Sequence, residues 1–336
     1  MEEPTKSPME HLILSYDNES RILDGAGSQL QRIYGVYALS RFLGASYIHT
    51  PLKSIPYQGL LSLERNQLDP DLVNSYNKLL SIPSDGAIPE QASVHHVFNI
   101  TADIGFLWSL REELKKKKKY LLLKMDMPFS IVNQHPQMIH HAKSVTPFQT
   151  NLALPLKIVI HVRRGDLLIS PEGNRILPNS YYINLTLRII QLLHKHHLPF
   201  SCELHTETPT QTFVVTSENR GMQTMRERVK NPVTLDREEN FLQEFDLIPH
   251  LKKYNNHDSI ETLRSFATAD LLIMSRSTFS YLGAMLNKEG IIIYHPFWFA
   301  TPIEWIDGTH HQSFEERLER DLLRWKQARE SKRHHY

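Results

Sequence analysis

Lys157-Ile-Val-Ile-His161-Val162-Arg163-Arg164-Gly165-Asp166 carries an apolar strand straight into a histidine, two arginines and an aspartate. Side chains alternate along a strand, so His161 and Arg163 share one face and Val162 takes the other. Ligands of open α/β sheets sit beyond the carboxyl ends of the strands, which is where this tract leads. Arginine there can grip phosphate oxygens through two parallel hydrogen bonds. The tract therefore predicts an anion site, with a diphosphate as the expected ligand. A core strand whose arginines pair with nearby carboxylates is the plain alternative.

Outward from this strand, apolar runs and helical patterns take turns. Downstream, a helix is expected from Asn179 or Ser180 to about His194, then strand over Cys202 to Thr206 and a weaker one over Pro232 to Leu235. A helix from Ser259 to Thr268 places Ile260, Leu263 and Ala267 on one face. It is followed by strand Leu271 to Met274, helix Thr278 to Asn287 and strand Ile291 to Tyr294, and a charged helix from Ser313 to about Lys332 closes the chain. Upstream, strand His11 to Ser15 leads through a glycine turn to a helix from Gln29 to Leu43, with Gly44 as its C-cap, and then strand Ser46 to Ile48. Val94 to Phe98 and Tyr120 to Leu123 read as strands around a helix from Asp103 to Leu114, capped by Asp103 or Thr101. Strands alternating with helices imply parallel sheets covered on both faces. The fold class is α/β with two Rossmann-like domains, residues 1–150 and 151–310, and a charged helix at 311–336. The polar, proline-bearing stretch 136–156 is the expected boundary.

Composition narrows the function classes. With 336 residues there is room for two cores, and a net charge of +1 gives no reason to expect nucleic acid. The single cysteine, Cys202, rules out an internal disulfide framework and fits a reducing compartment. The polar, acidic start and the lack of a long apolar run predict no signal anchor and no integral membrane segment, hence a cytoplasmic protein. Asn18, Asn99 and Asn184 lie in Asn-x-Ser/Thr triplets that are then expected to be idle. Lys115 to Lys119 reads as the solvated end of a helix, with peripheral contact to anionic lipid as the lesser alternative. His95-His96 and His140-His141 lack the spacing of a zinc site, so no metal is expected. The aromatic run Tyr294 to Phe299 offers either a stacking surface or packing beneath the last strand.

The opening tract resembles the HxRRxD motif of the fucosyltransferase superfamily, which spans the α1,2-, α1,6- and protein O-fucosyltransferases. Ser275-Arg276-Ser277-Thr278-Phe279-Ser280-Tyr281-Leu282-Gly283-Ala284-Met285-Leu286 resembles the SxSxFSxxAAxL motif of the α1,2 family, small residues Gly283 and Ala284 included. Hydroxyls there can cap the helix or, with its N–H groups, bind phosphate. Gly25-Ala26-Gly27-Ser28-Gln29-Leu30 resembles that family's GxGNQxxQ loop. Ser28 replaces the asparagine, and Gln31 does not fall in the family's position.

The resemblance implies the two-domain GT-B arrangement, with a substrate cleft between the domains. It also implies an inverting, metal-independent transfer of fucose from GDP-fucose to a glycan or other hydroxyl, without a cofactor. On that reading His161, Arg163, Arg164, Ser277, Thr278, Gly25, Gly27, Ser28 and Gln29 bind the donor. The family's nucleotide-holding aspartate has no clean counterpart, and Glu261 is carried in its place ahead of Asp258. Arg163 stabilises the leaving diphosphate. Glu172 is the expected base, with Asp166 second or else structural. Three alternatives stay open: a GT-B transferase of another nucleotide sugar, a silent nucleotide-sugar or glycan-binding protein, and an interaction role for Arg164-Gly165-Asp166. The acceptor is not readable.

Overall fold

The protein is described by a computed structural model covering residues 9–19, 25–97, 104–126, 129–149, 155–169, 175–218, 231–237 and 241–333. In chain order the first half carries β1 (Leu12–Tyr16), α1 (Ala26–Leu43), β2 (Ser46–Ile48), α2 (Leu60–Glu64), α3 (Leu72–Leu79) and β3 (Ser93–Val97). Next come α4 (Ile104–Lys117), β4 (Leu121–Met125), α5 (Phe129–Gln134) and α6 (His140–Lys143). The second half carries β5 (Leu156–Val162), α7 (Asn179–Lys195), β6 (Phe200–Thr206), β7 (Phe213–Val215), β8 (Val233–Leu235) and β9 (Leu251–Asn255). It ends with α8 (Ser259–Ala267), β10 (Leu271–Ile273), α9 (Thr278–Leu286), β11 (Ile291–Tyr294), β12 (Ile306–Asp307) and α10 (His311–Arg333).

Contacts divide the chain into two compact units. Met1–Ile55, Asp69–Pro147 and Phe299–Pro302 make the first; Pro56–Leu68, Phe148–Trp298 and Ile303–Tyr336 make the second. The first holds a parallel sheet in the order β2-β1-β4-β3. Its strand β1 is buried along its whole length, as an apolar strand flanked by two others should be. α1 stops at Gly44, whose left-handed φ of 62° lets its N–H reach back to the carbonyls of Ser40 and Arg41.

The second unit holds a parallel sheet ordered β12-β11-β10-β5-β6-β9. Alternation sorts the faces of β5. Ile158, Ile160 and Val162 join Tyr182 and Ile189 of α7 in one core, while His161 faces Phe266 of α8 and Phe279 of α9. Helices cover both faces, so the expected doubly wound α/β architecture is present here.

Three features depart from the sequence reading. The 311–336 helix does not stand apart: Phe314, Leu318, Leu322 and Trp325 form one stripe that enters the core with β5 and α7. Leu60 and Leu63 of α2 pack with Ile169, Val215 and Leu235, so residues 56–68 belong to the second unit. β8 pairs antiparallel with β7 in a separate ribbon, and the sheet's edge is instead β9, whose Leu251-Lys-Lys-Tyr-Asn255 is too polar to read as a strand by its apolar content. No helix among the described residues is long and apolar enough to cross a membrane.

α8 and α9 approach closely because Gly283 has no side chain. A Cβ there would lie 2.5 Å from Phe266 Cβ, an atom close to the backbone of α8 that cannot swing away. Gly283→Ala should therefore cost about 1–3 kcal/mol of stability as an overpacked core does. An unchanged urea midpoint would show that the two helices are free to separate.

Candidate active site

In the second unit the chain runs from β5 outward to β6 and β9, then returns to the other side of β5 to lay down β10 and β11. The strand order therefore reverses between β5 and β10, the topological switch point at which such sheets take ligands. Arg163 follows β5 there, and Ser275-Arg276-Ser277-Thr278 follows β10. Arg163 is half-buried, and Thr278 is half-buried in the first turn of α9. An anion at this spot would meet a guanidinium and a helix N-terminus together.

The serine segment reads differently atom by atom. Ser277 is buried and caps α9, accepting from the Phe279 N–H at 3.2 Å. Ser275 Oγ lies 3.0 Å from His161 Nδ1, and Ser280 Oγ donates back to the carbonyls of Ser275 and Ser277 at 3.2 Å each. With Gly283 against Phe266, the segment is a packing unit that sets the β10–α9 turn around His161. Among the serines and threonine of the segment, Thr278 is the one that is not fully buried.

Two of the expected donor ligands have structural partners. His161 is buried, bonded to Ser275 and enclosed by the Phe266 and Phe279 rings. Two residues back from Arg163 along the chain, His161 is already under the helices. Arg164 is bonded into the fold more fully. Alternation turns it to the Val162 side, where its guanidinium donates to the carbonyls of Arg163 and Leu177 and to Asn179 Oδ1 at 2.5 Å, over the Phe241 ring. Its charge is used to hold the segment before α7.

Other expected residues also find structural work. Glu261 is an exposed first-turn residue of α8 that pairs with Arg264, while Asp258 caps that helix by accepting from Ile260 and Glu261 N–H. Gly25, Gly27, Ser28 and Gln29 lie in the first unit at the start of α1; Gly25 is its N-cap, Ser28 is half-buried and Gln29 is fully buried, donating to the Ser54 carbonyl at 2.9 Å. Asp166 falls in a short 3₁₀ turn, Gly165–Leu168. Glu172 lies outside the described residues, as do Thr101 and Asp103.

Sequence reasoning missed two residues at this edge. Arg276 is oriented by its Nε–H toward His295 Nδ1 at 3.2 Å and the Pro296 carbonyl at 3.1 Å, which ties the end of β10 to that of β11. Its place between two serines hid a cation at the switch point. Glu207, just past β6, is the other. Its carbonyl accepts from Gly165 N–H at 3.2 Å and its carboxylate accepts from Leu60 N–H at 3.3 Å. Gly165 (φ 49°) and Gly59 (φ 89°) both require glycine, and a Cβ on either would press within 2.6 Å of that carboxylate. No residue pattern marks such a latch. Among the described residues no group of three His, Cys, Asp or Glu is placed to hold a metal ion.

Burial, then the charges of Arg163 and His205, holds the His161 imidazolium well below the usual 6.5. The unfolded chain takes a proton near that value and the folded chain does not, so stability should fall as pH drops below about 6.5. Urea midpoints at about pH 7.5 and about pH 5.5 measure the fall. It should be smaller in His161→Asn, and an equal fall in both proteins would remove His161 as its source.

No family model matches the chain, and no curated protein sequence matches it. Among solved structures it is similar to POFUT1 in complex with GDP, at 12% identity over 84% of this chain and 98% of that one, TM-score 0.39. It is also similar to the E. coli heptosyltransferase WaaC with ADP, at 10% identity over 94% and 100% of the two chains, TM-score 0.36. A third is OtsA in its apo form, at 10% identity over 96% and 94%, TM-score 0.33.

Proposed function

We propose that the protein is a GT-B glycosyltransferase that moves fucose from GDP-fucose to a hydroxyl of a glycan, with inversion and without a metal. The observation that carries this reading is that Arg163 follows β5 at the β5–β10 switch point, where the neighbouring strand β10 leads into α9. The diphosphate leaving group develops charge on its β-phosphate oxygens as the sugar departs. On this reading Arg163 and the α9 N-terminus with Thr278 stabilise that charge, and such preorganised donors supply about 3–4 kcal/mol each. Arg276 is a second cation at the same edge. His161 and Arg164 support this arrangement from beneath. The HVRRGD and Ser-x-Ser-x-Phe-Ser resemblances select GDP-fucose among nucleotide sugars.

Thermal shift with GDP, GDP-fucose, UDP and UDP-galactose tests the donor. A ligand that binds only the folded state stabilises it by RT ln(1 + [L]/Kd), about 2.7 kcal/mol at a hundredfold excess over Kd. Selective stabilisation by GDP and GDP-fucose is expected. An equal response to the uridine nucleotides points to another nucleotide sugar, and no response to any of them overturns the reading.

A further inference from the structure

We propose that α4 and the turn after it form a peripheral docking surface for an anionic bilayer. Phe106 and Trp108 enter the headgroup layer, and the lysines at 115–119 meet the lipid charges. The surface lies wholly within the first unit and stands independently of the transferase reading.

One face of α4 holds the helix to its unit. Leu107 is buried, and Arg111 is half-buried with its guanidinium 3.7 Å from the Glu10 carboxylate. Successive helix residues turn by about 100°, so Phe106 and Trp108 stand to either side of Leu107 and border the outer face. Phe106 is 57% exposed and Trp108 39%. Among the described residues the other exposed phenylalanine or tryptophan is Trp298, so two of the three fall on this one helix. Aromatic rings of this kind collect at membrane–water interfaces, where an apolar body and a polar or cationic neighbour are both accommodated.

The charges of the helix are sorted along its length. Glu112 pairs with Arg111 at 3.4 Å and Glu113 pairs with Lys117, so both carboxylates have their cations within the helix. Lys115, Lys116, Lys118 and Lys119 are exposed, and among the described residues no carboxylate lies within ion-pair distance of them. The helix dipole favours cations in the last turn, but its effect ends there, whereas the run continues past Lys117 into the turn before β4. Lysines three and four apart also repel one another. The whole chain carries a net charge of +1, so this excess is local. A cluster of about four to eight basic residues beside an amphipathic helix is the pattern that binds acidic headgroups. Single-stranded nucleic acid uses similar residue types in a charged groove. Here they lie on the convex outside of a helix, with Glu112 and Glu113 between the rings and the lysines, which fits a flat lipid surface better.

The test sediments the full chain with vesicles of phosphatidylcholine alone and with about 30% phosphatidylserine, at about 0.1 M and about 0.5 M salt. Binding is expected to the acidic vesicles only, and it should fall steeply at the higher salt. Lys115→Gln, Lys116→Gln, Lys118→Gln and Lys119→Gln together should weaken it at least about 100-fold, at about fivefold per lysine, while arginine at the same four positions keeps it. Phe106→Ser should weaken it about tenfold with every lysine in place. Brominated lipid gives a reading that needs no change of charge: it should quench tryptophan emission in the wild-type chain and much less in Trp108→Phe. No sedimentation with the acidic vesicles overturns the proposal, as do equal binding to both vesicle types, wild-type binding by the glutamine variant, and undiminished quenching in Trp108→Phe. A single-stranded RNA that strips the protein from the vesicles at equal phosphate concentration also overturns it and assigns the lysines to nucleic acid.

Discussion

Arg163→Ala should lower turnover of the nucleotide sugar by about 10²–10³-fold, the usual cost of removing one donor aimed at developing charge. The folded state should persist, because the core beneath Arg163 is made by Ile158, Ile160 and Val162 on one face and by the His161–Phe266–Phe279 packing on the other. Arg163→Lys separates two contributions: it keeps the charge but loses the planar fork, so it should recover part of the rate only. A second readout comes from linkage. The Arg163 charge helps to hold the His161 imidazolium down, so its removal lets that value rise toward 6.5 and should reduce the acid sensitivity of folding. Wild-type turnover in Arg163→Ala would falsify the assignment of this residue to the leaving group.

Arg329→Met should destabilise the second unit by about 3–5 kcal/mol, because it leaves a buried carboxylate without its cation. Arg329, near the end of α10, donates to Asp270 Oδ1, and both residues are buried. The Asp270 carboxylate also accepts from the Lys157 N–H at 2.8 Å, at the first turn of hydrogen bonding into β5, and the Arg329 guanidinium stacks on Trp325 at 4.0 Å. Burial raises the Asp270 carboxyl to about 6, against the Lys157 N–H and the Arg329 charge. A carboxyl raised above its unfolded value of 3.8 binds protons more readily when folded, so protonation between those values favours folding. Without Arg329 that preference grows. The loss in Arg329→Met should therefore shrink from about pH 8 to about pH 5, and Asp270→Asn in the same chain should recover part of it. Urea midpoints at both pH values check this. A pH-independent loss would mean that the stacking on Trp325, and not the buried charge, is what α10 loses.

Much of the second unit was legible because its signals are local. The mostly apolar heptapeptide of β5, the wholly apolar Leu271–Ile273 and Ile291–Tyr294, and the Asp258 and Ser277 caps each state their element without reference to distant residues. β9 escaped because an edge strand needs one covered face at most, and its two lysines look like a loop. The α10 stripe at Phe314, Leu318, Leu322 and Trp325 was present in the sequence but diluted by charge on the remaining faces. At the site, the sequence named residues at the ends of β5 and β10, and the structure shows which of them are bonded into the fold. Period-2 alternation applied one step further would have turned Arg164 away from Arg163, and the same alternation places His161 beneath the helices that follow.

By itself the sequence determined most of the strands and long helices, which face of β5 is apolar, and that cations and hydroxyls follow β5 and β10. Those properties repeat every two or 3.6 residues and need only neighbours along the chain. The tertiary structure alone decided which cation stays at the edge, why Gly165 and Gly59 must be glycine beside Glu207, and that Asp17 meets His96 across 79 residues of chain. Strand order brings such partners together, and strand order is set by how whole faces bury against one another rather than by any residue's own preference.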